Sequence, residues 1–149
     1  LIMKNIIFSF IFSLSFIFNS AQTKAPKPIV IVQNVVMGNL TLNSLDPNKI
    51  EQVHVYKTPS TETAKFDDLI KNGLINITLK ENMAIESVTI SEAKKRFKLP
   101  SNALVFLNDI QVHDENILIA EDLLKTSSVI NPDKKSNNFT APVLNIKTD

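Results

Sequence analysis

The apolar and polar positions of this chain fall into short β-type segments separated by turn signals, with few stretches of helical period. Ile29-Val30-Ile31-Val32 is a run of four apolar β-formers and predicts a strand covered on both faces. Gln33-Asn34 predicts a turn, and residues 35–45, which contain Gly38, predict a hairpin or an irregular crossing. Asp46-Pro47 pairs a helix-capping residue with a proline at the first helical position, so a single turn should run to Ile50. From Glu51 the period becomes two: Val53 and Val55 alternate with Gln52, His54 and Tyr56, giving a strand with one face toward the core and the other toward water or a neighbour. Thr58-Pro59 repeats the start signal for a helix over 60–72. Its apolar stripe is Phe66, Leu69 and Ile70, and Gly73 provides its C-terminal stop. Leu74, Ile75, Ile77 and Leu79 then alternate in a further strand ending at Lys80.

The second half opens with a linking strand through Val88 and Ile90. A short helix capped by Ser91 follows, with Ala93 and Phe97 on one side, Lys94, Lys95 and Arg96 outward, and Pro100 as its stop. Leu104-Val105-Phe106-Leu107 lies 75 positions after Ile29-Val30-Ile31-Val32, and each run is followed by a polar pair, Gln33-Asn34 or Asn108-Asp109. At the same offset Val55 falls on Ile130. A helix capped near Asn116, with Ile117, Ala120 and Leu124 on one side, takes the place of the Asp46 turn. Val143-Leu144-Asn145-Ile146 resembles Leu74-Ile75-Asn76-Ile77 at an offset of 69, the difference falling in a polar loop over 132–138. Two readings stay open, a duplicated unit or two strand sets of similar pattern. The expected fold class is α+β: a small mixed sheet with short helices.

The first 21 residues are set apart by composition. Lys4 precedes a largely apolar, uncharged run over 6–18, and Asn19-Ser20-Ala21 follows, the layout of a secretory signal peptide cut after Ala21. The run is shorter than the roughly 20 residues needed to cross a bilayer. The expected organisation is therefore a signal peptide at 1–21, a linker at 22–27 kept extended by Pro26 and Pro28, a first unit at 28–80, and a second half at 81–149 in the same globular domain. Without Lys4, the 16 basic residues become 15 against 15 acidic, and a neutral chain with no basic stripe argues against nucleic acid as a partner. The absence of cysteine removes disulfides and thiolate metal sites from consideration.

Candidate chemistry is sparse. His113 adjoins Asp114 and Glu115, a set of zinc-ligand types, but the stretch reads more simply as a solvated turn. Asp67-Asp68 and Glu121-Asp122 are sequence neighbours on predicted helices and do not share a face, so they do not form acid–base pairs. Two glycines, Gly38 and Gly73, are too few for a phosphate-binding loop, and no serine has a nucleophile-elbow context. The expectation is no catalytic residue, no metal and no cofactor.

Three blocks carry a resemblance. Pro28-Ile29-Val30-Ile31-Val32, then Leu45-Asp46-Pro47-Asn48-Lys49-Ile50-Glu51-Gln52-Val53-His54-Val55-Tyr56-Lys57, then Gly73-Leu74-Ile75-Asn76-Ile77-Thr78-Leu79-Lys80 resemble the plug domain of TonB-dependent outer-membrane receptors of the Bacteroidetes type. The positions carrying it are Asp46, Pro47, Ile50, Glu51, Val53, Val55, Lys57, Gly73, Ile75, Ile77 and Lys80. The family's Tyr-Gly after the helix start is replaced by Ala64-Lys65-Phe66-Asp67, and segments of about ten residues for the 22 strands of the receptors' barrel do not fit in the roughly 128 residues that follow the expected signal peptide. The resemblance thus implies a plug-like module detached from its barrel, with structural and no catalytic residues. The functional expectation is an exported, non-enzymatic protein-interaction or ligand-binding module. It would sit in the periplasm or at the outer-membrane periphery, with an unidentified envelope protein or ligand as partner and no transmembrane segment in the mature chain. The alternatives are an accessory subunit that pairs by strand addition through residues 143–147, and a small metal-dependent hydrolase built on His113, Asp114 and Glu115.

Overall fold

Two hairpin turns with left-handed backbone set the frame. In the computed structural model, which describes residues 27–133 and 139–148, Ile29–Val32 forms β1 and Val35–Val36 forms β2, joined antiparallel through Gln33 and Asn34 at φ 51° and 63°. Two successive residues of positive φ make the turn whose twist suits a tight hairpin, and a polar amide pair tolerates that backbone better than β-branched residues. The expected signal peptide, nearly all of the linker, and residues 134–138 of the expected polar loop lie outside the described residues.

From β2 the chain enters a five-residue helix α1 (Asn39–Asn43), then a 3₁₀ turn (Pro47–Lys49) whose cap Asp46 accepts a 2.9 Å hydrogen bond from the Asn48 amide. Strand β3 (Ile50–Tyr56) follows at once, as the Asp46-Pro47 signal predicts. The helix expected over 60–72 is a 3₁₀ segment, Ala64–Asn72, interrupted at Phe66 (φ −112°). Its stripe of Phe66, Leu69 and Ile70 is nonetheless buried as expected. Gly73, at φ 87° and ψ 143°, turns the chain into β4 (Leu74–Leu79), and its carbonyl receives the Ile29 amide at 3.0 Å.

The second half contains β5 (Ser87–Thr89), α2 (Ile90–Arg96), β6 (Leu104–Leu107), β7 (Ile110–Gln111), β8 (Leu118–Ala120), a 3₁₀ segment (Glu121–Lys125), β9 (Ser128–Ile130) and β10 (Val143–Ile146). Helix α2 is capped by Thr89 rather than Ser91. Thr89 Oγ1 accepts the Glu92 amide at 3.1 Å and the Glu92 carboxylate accepts the Thr89 amide at 2.8 Å, a reciprocal capping box. Ile90, expected in a strand, is therefore the first helical residue. The helix expected after Asn116 is instead strand β8, because β2 offers a parallel edge on which Leu118 and Ile119 pair with Val35 and Val36.

The result is an α+β fold with two mixed sheets, ordered β3-β4-β1-β2-β8-β5 and β7-β6-β10-β9. Within them one four-strand arrangement occurs twice, as β3-β4-β1-β2 and as β9-β10-β6-β7. The parallel ladder β1–β4 pairs Ile29 with Leu74, and β6–β10 pairs Leu104 with Val143, so the offsets of 75 and 69 correspond to one common register. The antiparallel strands shift that alignment by one position: Val143 pairs with Ile130 and Leu74 with Tyr56, so Ile130 corresponds to Tyr56 and not to Val55. The first turn residue of each hairpin also clamps a distant segment through its amide group. Gln33 exchanges bonds with the Met83 backbone, and Asn108 with the amide and hydroxyl of Thr148.

One core joins the two sheets. Ile29, Ile31 and Leu74 from the first sheet meet Val105, Leu107, Leu144 and Ile146 from the second, with Phe66, Leu69, Ile90 and Ala93 between. The copies meet through non-equivalent faces, because the 75-position equivalents of Val105 and Leu107 are Val30 and Val32, which point to the far side of the first sheet. That far side has its own smaller cluster, in which Leu42, Leu45, Met83 and Ile85 cover Val32, Val35 and Ile77. Among the described residues no helix is long and apolar enough to cross a membrane.

Gly73→Ala should cost about 1–3 kcal/mol, read from denaturant unfolding with an unchanged slope. A Cβ there would lie 3.7 Å from Pro28 Cβ, so the cost comes from the positive φ and not from a clash. The capping box gives a second check: the Thr89 hydrogen bonds hold the Glu92 carboxyl below its ordinary range. Its stabilisation is then present at neutral pH and lost as pH falls through the lowered value. Thr89→Val removes the hydroxyl bond and keeps the larger one from the backbone amide, so it should flatten that acid limb only in part in a pH series of unfolding midpoints.

Candidate interaction surface

Strand β3 is the edge of the six-stranded sheet, with β4 as its one partner among the described residues. The other sheet edges, β5, β7 and β9, are two or three residues long, whereas β3 has seven. The alternation read from the sequence is present, but the valine face does not reach the core. Val53 is 51% exposed and Val55 61%. They stand on the far side of the sheet beside Ile75 and Ile77, beyond the point where the cover formed by Leu42, Leu45, Met83 and Ile85 ends. An apolar groove of about 420 Å³ continues this surface between Val55, Ile75, Ile70 and Pro28, with Lys57 at its rim. Two adjacent valines exposed on a free edge form a surface that proteins usually bury or blunt.

The opposite face of β3 is polar and tied down. Tyr56 donates to Glu62 Oε2 at 2.6 Å, and this bond holds the phenol above its ordinary pKa. His54 Nδ1 lies 3.3 Å from the same hydroxyl. With the phenol hydrogen committed to Glu62, Nδ1 is left as the donor. His54 is thus an exposed strand residue holding a surface tyrosine. The sequence pattern contains this face, but Glu62 lies beyond the strand and its role was not legible.

The plug-like positions converge on this same part of the molecule. Asp46 and Pro47 start the turn that feeds β3. Ile50, Glu51, Val53 and Val55 lie on the strand and Lys57 directly after it. Gly73, Ile75 and Ile77 belong to β4 and the turn before it. Lys80 closes the far end, its amide bonding Lys49 O at 2.9 Å and its Nζ bonding Asn48 O at 2.8 Å.

The groups considered for chemistry are separated. His113 turns away from its sequence neighbours to Asp68, whose Oδ2 receives the His113 amide at 2.9 Å and lies 3.1 Å from Nδ1. Asp114 accepts the Asn116 amide, and Glu115 pairs with Lys94 at 2.5 Å. No group of three potential metal ligands occurs among the described residues. Lys94, expected to point outward, is 4% exposed and also donates to Ser101 O. Arg96 pairs with Glu121 instead of standing free.

Asp122 was read only as solvated surface, yet its Oδ2 accepts the Thr41 amide at 3.0 Å and so caps α1, whose own cap residue Gly38 has no side chain to offer. A Cβ at Gly38 would lie 2.6 Å from that oxygen, so any larger residue there must displace the Asp122 carboxylate. Thr41 and Asp122 line a cleft of about 630 Å³ together with Arg96 and Glu121, which pair with each other. Residues 143–147, expected at a sheet edge, are not there: β10 lies between β6 and β9.

Comparison of the chain with protein-family models, with curated proteins and with solved structures finds no match.

The Lys94–Glu115 contact yields a measurable contrast. Glu115→Gln leaves a buried ammonium without its counter-charge and should cost about 1–3 kcal/mol. Lys94→Met removes the charge and keeps the stem, and should stay within about 1 kcal/mol of the parent. Chemical unfolding of both variants checks the order.

Proposed function

We propose that this protein is an exported, non-enzymatic binding module of the bacterial envelope that engages a protein partner through the β3 edge and its valine face. The observation that carries the reading is the exposure of Val53 and Val55 on the one long edge strand among the described residues. A free edge offers a row of backbone donors and acceptors, and side chains on alternate positions supply selectivity, which is the chemistry of strand addition. The plug resemblance supports the same reading, because its positions build β3, β4 and their junctions. The leader-like pattern over residues 1–21 supports export and a periplasmic or outer-membrane-peripheral location. The pairing of His113 with Asp68, and of Glu115 with Lys94, leaves the hydrolase reading without its ligand set.

Val53→Lys with Val55→Lys adds two charges to an already exposed face, so the double variant should keep the unfolding midpoint within a few degrees of the parent. It should also lose at least tenfold in capture of the partner that parent protein cross-links in an envelope extract. Capture that survives both lysines, or turnover of a substrate by the purified protein, excludes the reading.

A further inference from the structure

The proposal below rests on the reading of β3 as a binding edge and names the occupant. We propose that two copies of the chain pair antiparallel through β3, about a two-fold axis at His54, so that their six-stranded sheets join into one.

Antiparallel neighbours must present the same face and the same hydrogen-bonding phase. In symmetric self-pairing each residue therefore meets one of equal parity, and the axis passes through a single residue. The β3–β4 ladder is regular from Gln52 to Tyr56, with an irregularity between Ile50 and Gln52, and the midpoint of that regular stretch is His54. An axis there sets Gln52 opposite Tyr56 of the second copy, Val53 opposite Val55, and Glu51 opposite Lys57, each contact occurring twice. The two valine pairs would cover the apolar surface that each copy leaves open. The flanking charges are complementary, and neither Glu51 nor Lys57 has an ion-pair partner among the described residues.

Other axes fit less well. Centring on Val53 sets Glu51 against Val55, so each carboxylate would face a valine instead of an opposite charge. Centring on Val55 sets Val53 against Lys57 and leaves Glu51 opposite the chain beyond the end of β3, with no cation facing it. The charge pattern along the edge thus selects one register, and the five-residue ladder places the contact in the weak, concentration-dependent class.

Sedimentation velocity over a concentration series of purified protein tests this with Glu51→Lys and Lys57→Glu, both at exposed positions. The parent protein should self-associate toward a dimer. Each single reversal should weaken association about tenfold, because it turns two attractive contacts into two repulsive ones. An equimolar mixture of the two variants should recover association as a heterodimer, since every flanking pair in it is again of opposite charge.

A parent protein that stays monomeric throughout overturns the proposal, as does self-association indifferent to both reversals or a mixture that fails to combine. A monomeric parent whose partner capture is still abolished by Val53→Lys with Val55→Lys would show a different protein's strand on this edge. In that outcome self-pairing falls while the binding-module reading stands, so the two failures are told apart.

Discussion

The parallel ladder between β1 and β4 is the constraint from which the first sheet is built. Parallel strands cannot be joined by a tight turn, so the chain must leave β1 and return in the same direction. That return consumes residues 33–73. It carries the β1–β2 hairpin outward on one side, lays β3 on the free side of β4, and sends the 3₁₀ segment with Phe66, Leu69 and Ile70 across the inner face. Gly73 closes the circuit with a backbone conformation that side chains disfavour, while its carbonyl receives the first amide of β1. The ladder between β6 and β10 repeats the same register, so one geometric solution accounts for eight of the ten strands among the described residues.

Using non-equivalent faces to join the copies has a further consequence. A two-fold arrangement would bury the same face of each sheet and leave two equivalent faces outside. Here the face of the first sheet that corresponds to the inner face of the second is turned outward, and among the described residues Leu42 of α1, Leu45 and the segment around Met83 and Ile85 cover it. The cover protects β1, β2, part of β4 and Ile50 at the start of β3, and stops short of Val53 and Val55. The exposed valines are thus a product of how the two halves meet, and the proposed binding edge follows from the same asymmetry.

The polar groups that looked most chemical serve this framework. Asp122 caps α1 from the other half of the chain, Lys94 and Glu115 hold α2 to the segment before β8, and Asp68 anchors the turn at His113. Each links segments far apart in sequence. An isolated carboxylate or histidine in a sequence reads as solvent-facing or reactive by default, and only its spatial partner decides otherwise. For Lys94 that partner also reverses the expected burial, because a short helix followed by a tight stop turns its middle inward against the chain that follows.

The sequence by itself determined what depends on neighbours within a few residues. The Asp46-Pro47 turn, the two hairpin turns, the alternation of Val53 and Val55, the buried stripe of Phe66, Leu69 and Ile70, and the stop at Gly73 are all set by local backbone preference and period. The common spacing of the two strand sets was legible for the same reason, since each strand keeps its apolar pattern whatever it packs against. Tertiary structure decided which edges are free, which face of each sheet is covered, and whether residues 118–120 join β2 as a strand or continue as a helix. Those outcomes depend on pairing between segments distant in sequence, such as β2 and β8, and period two along β3 is the same whether its valine face meets a core or open solvent.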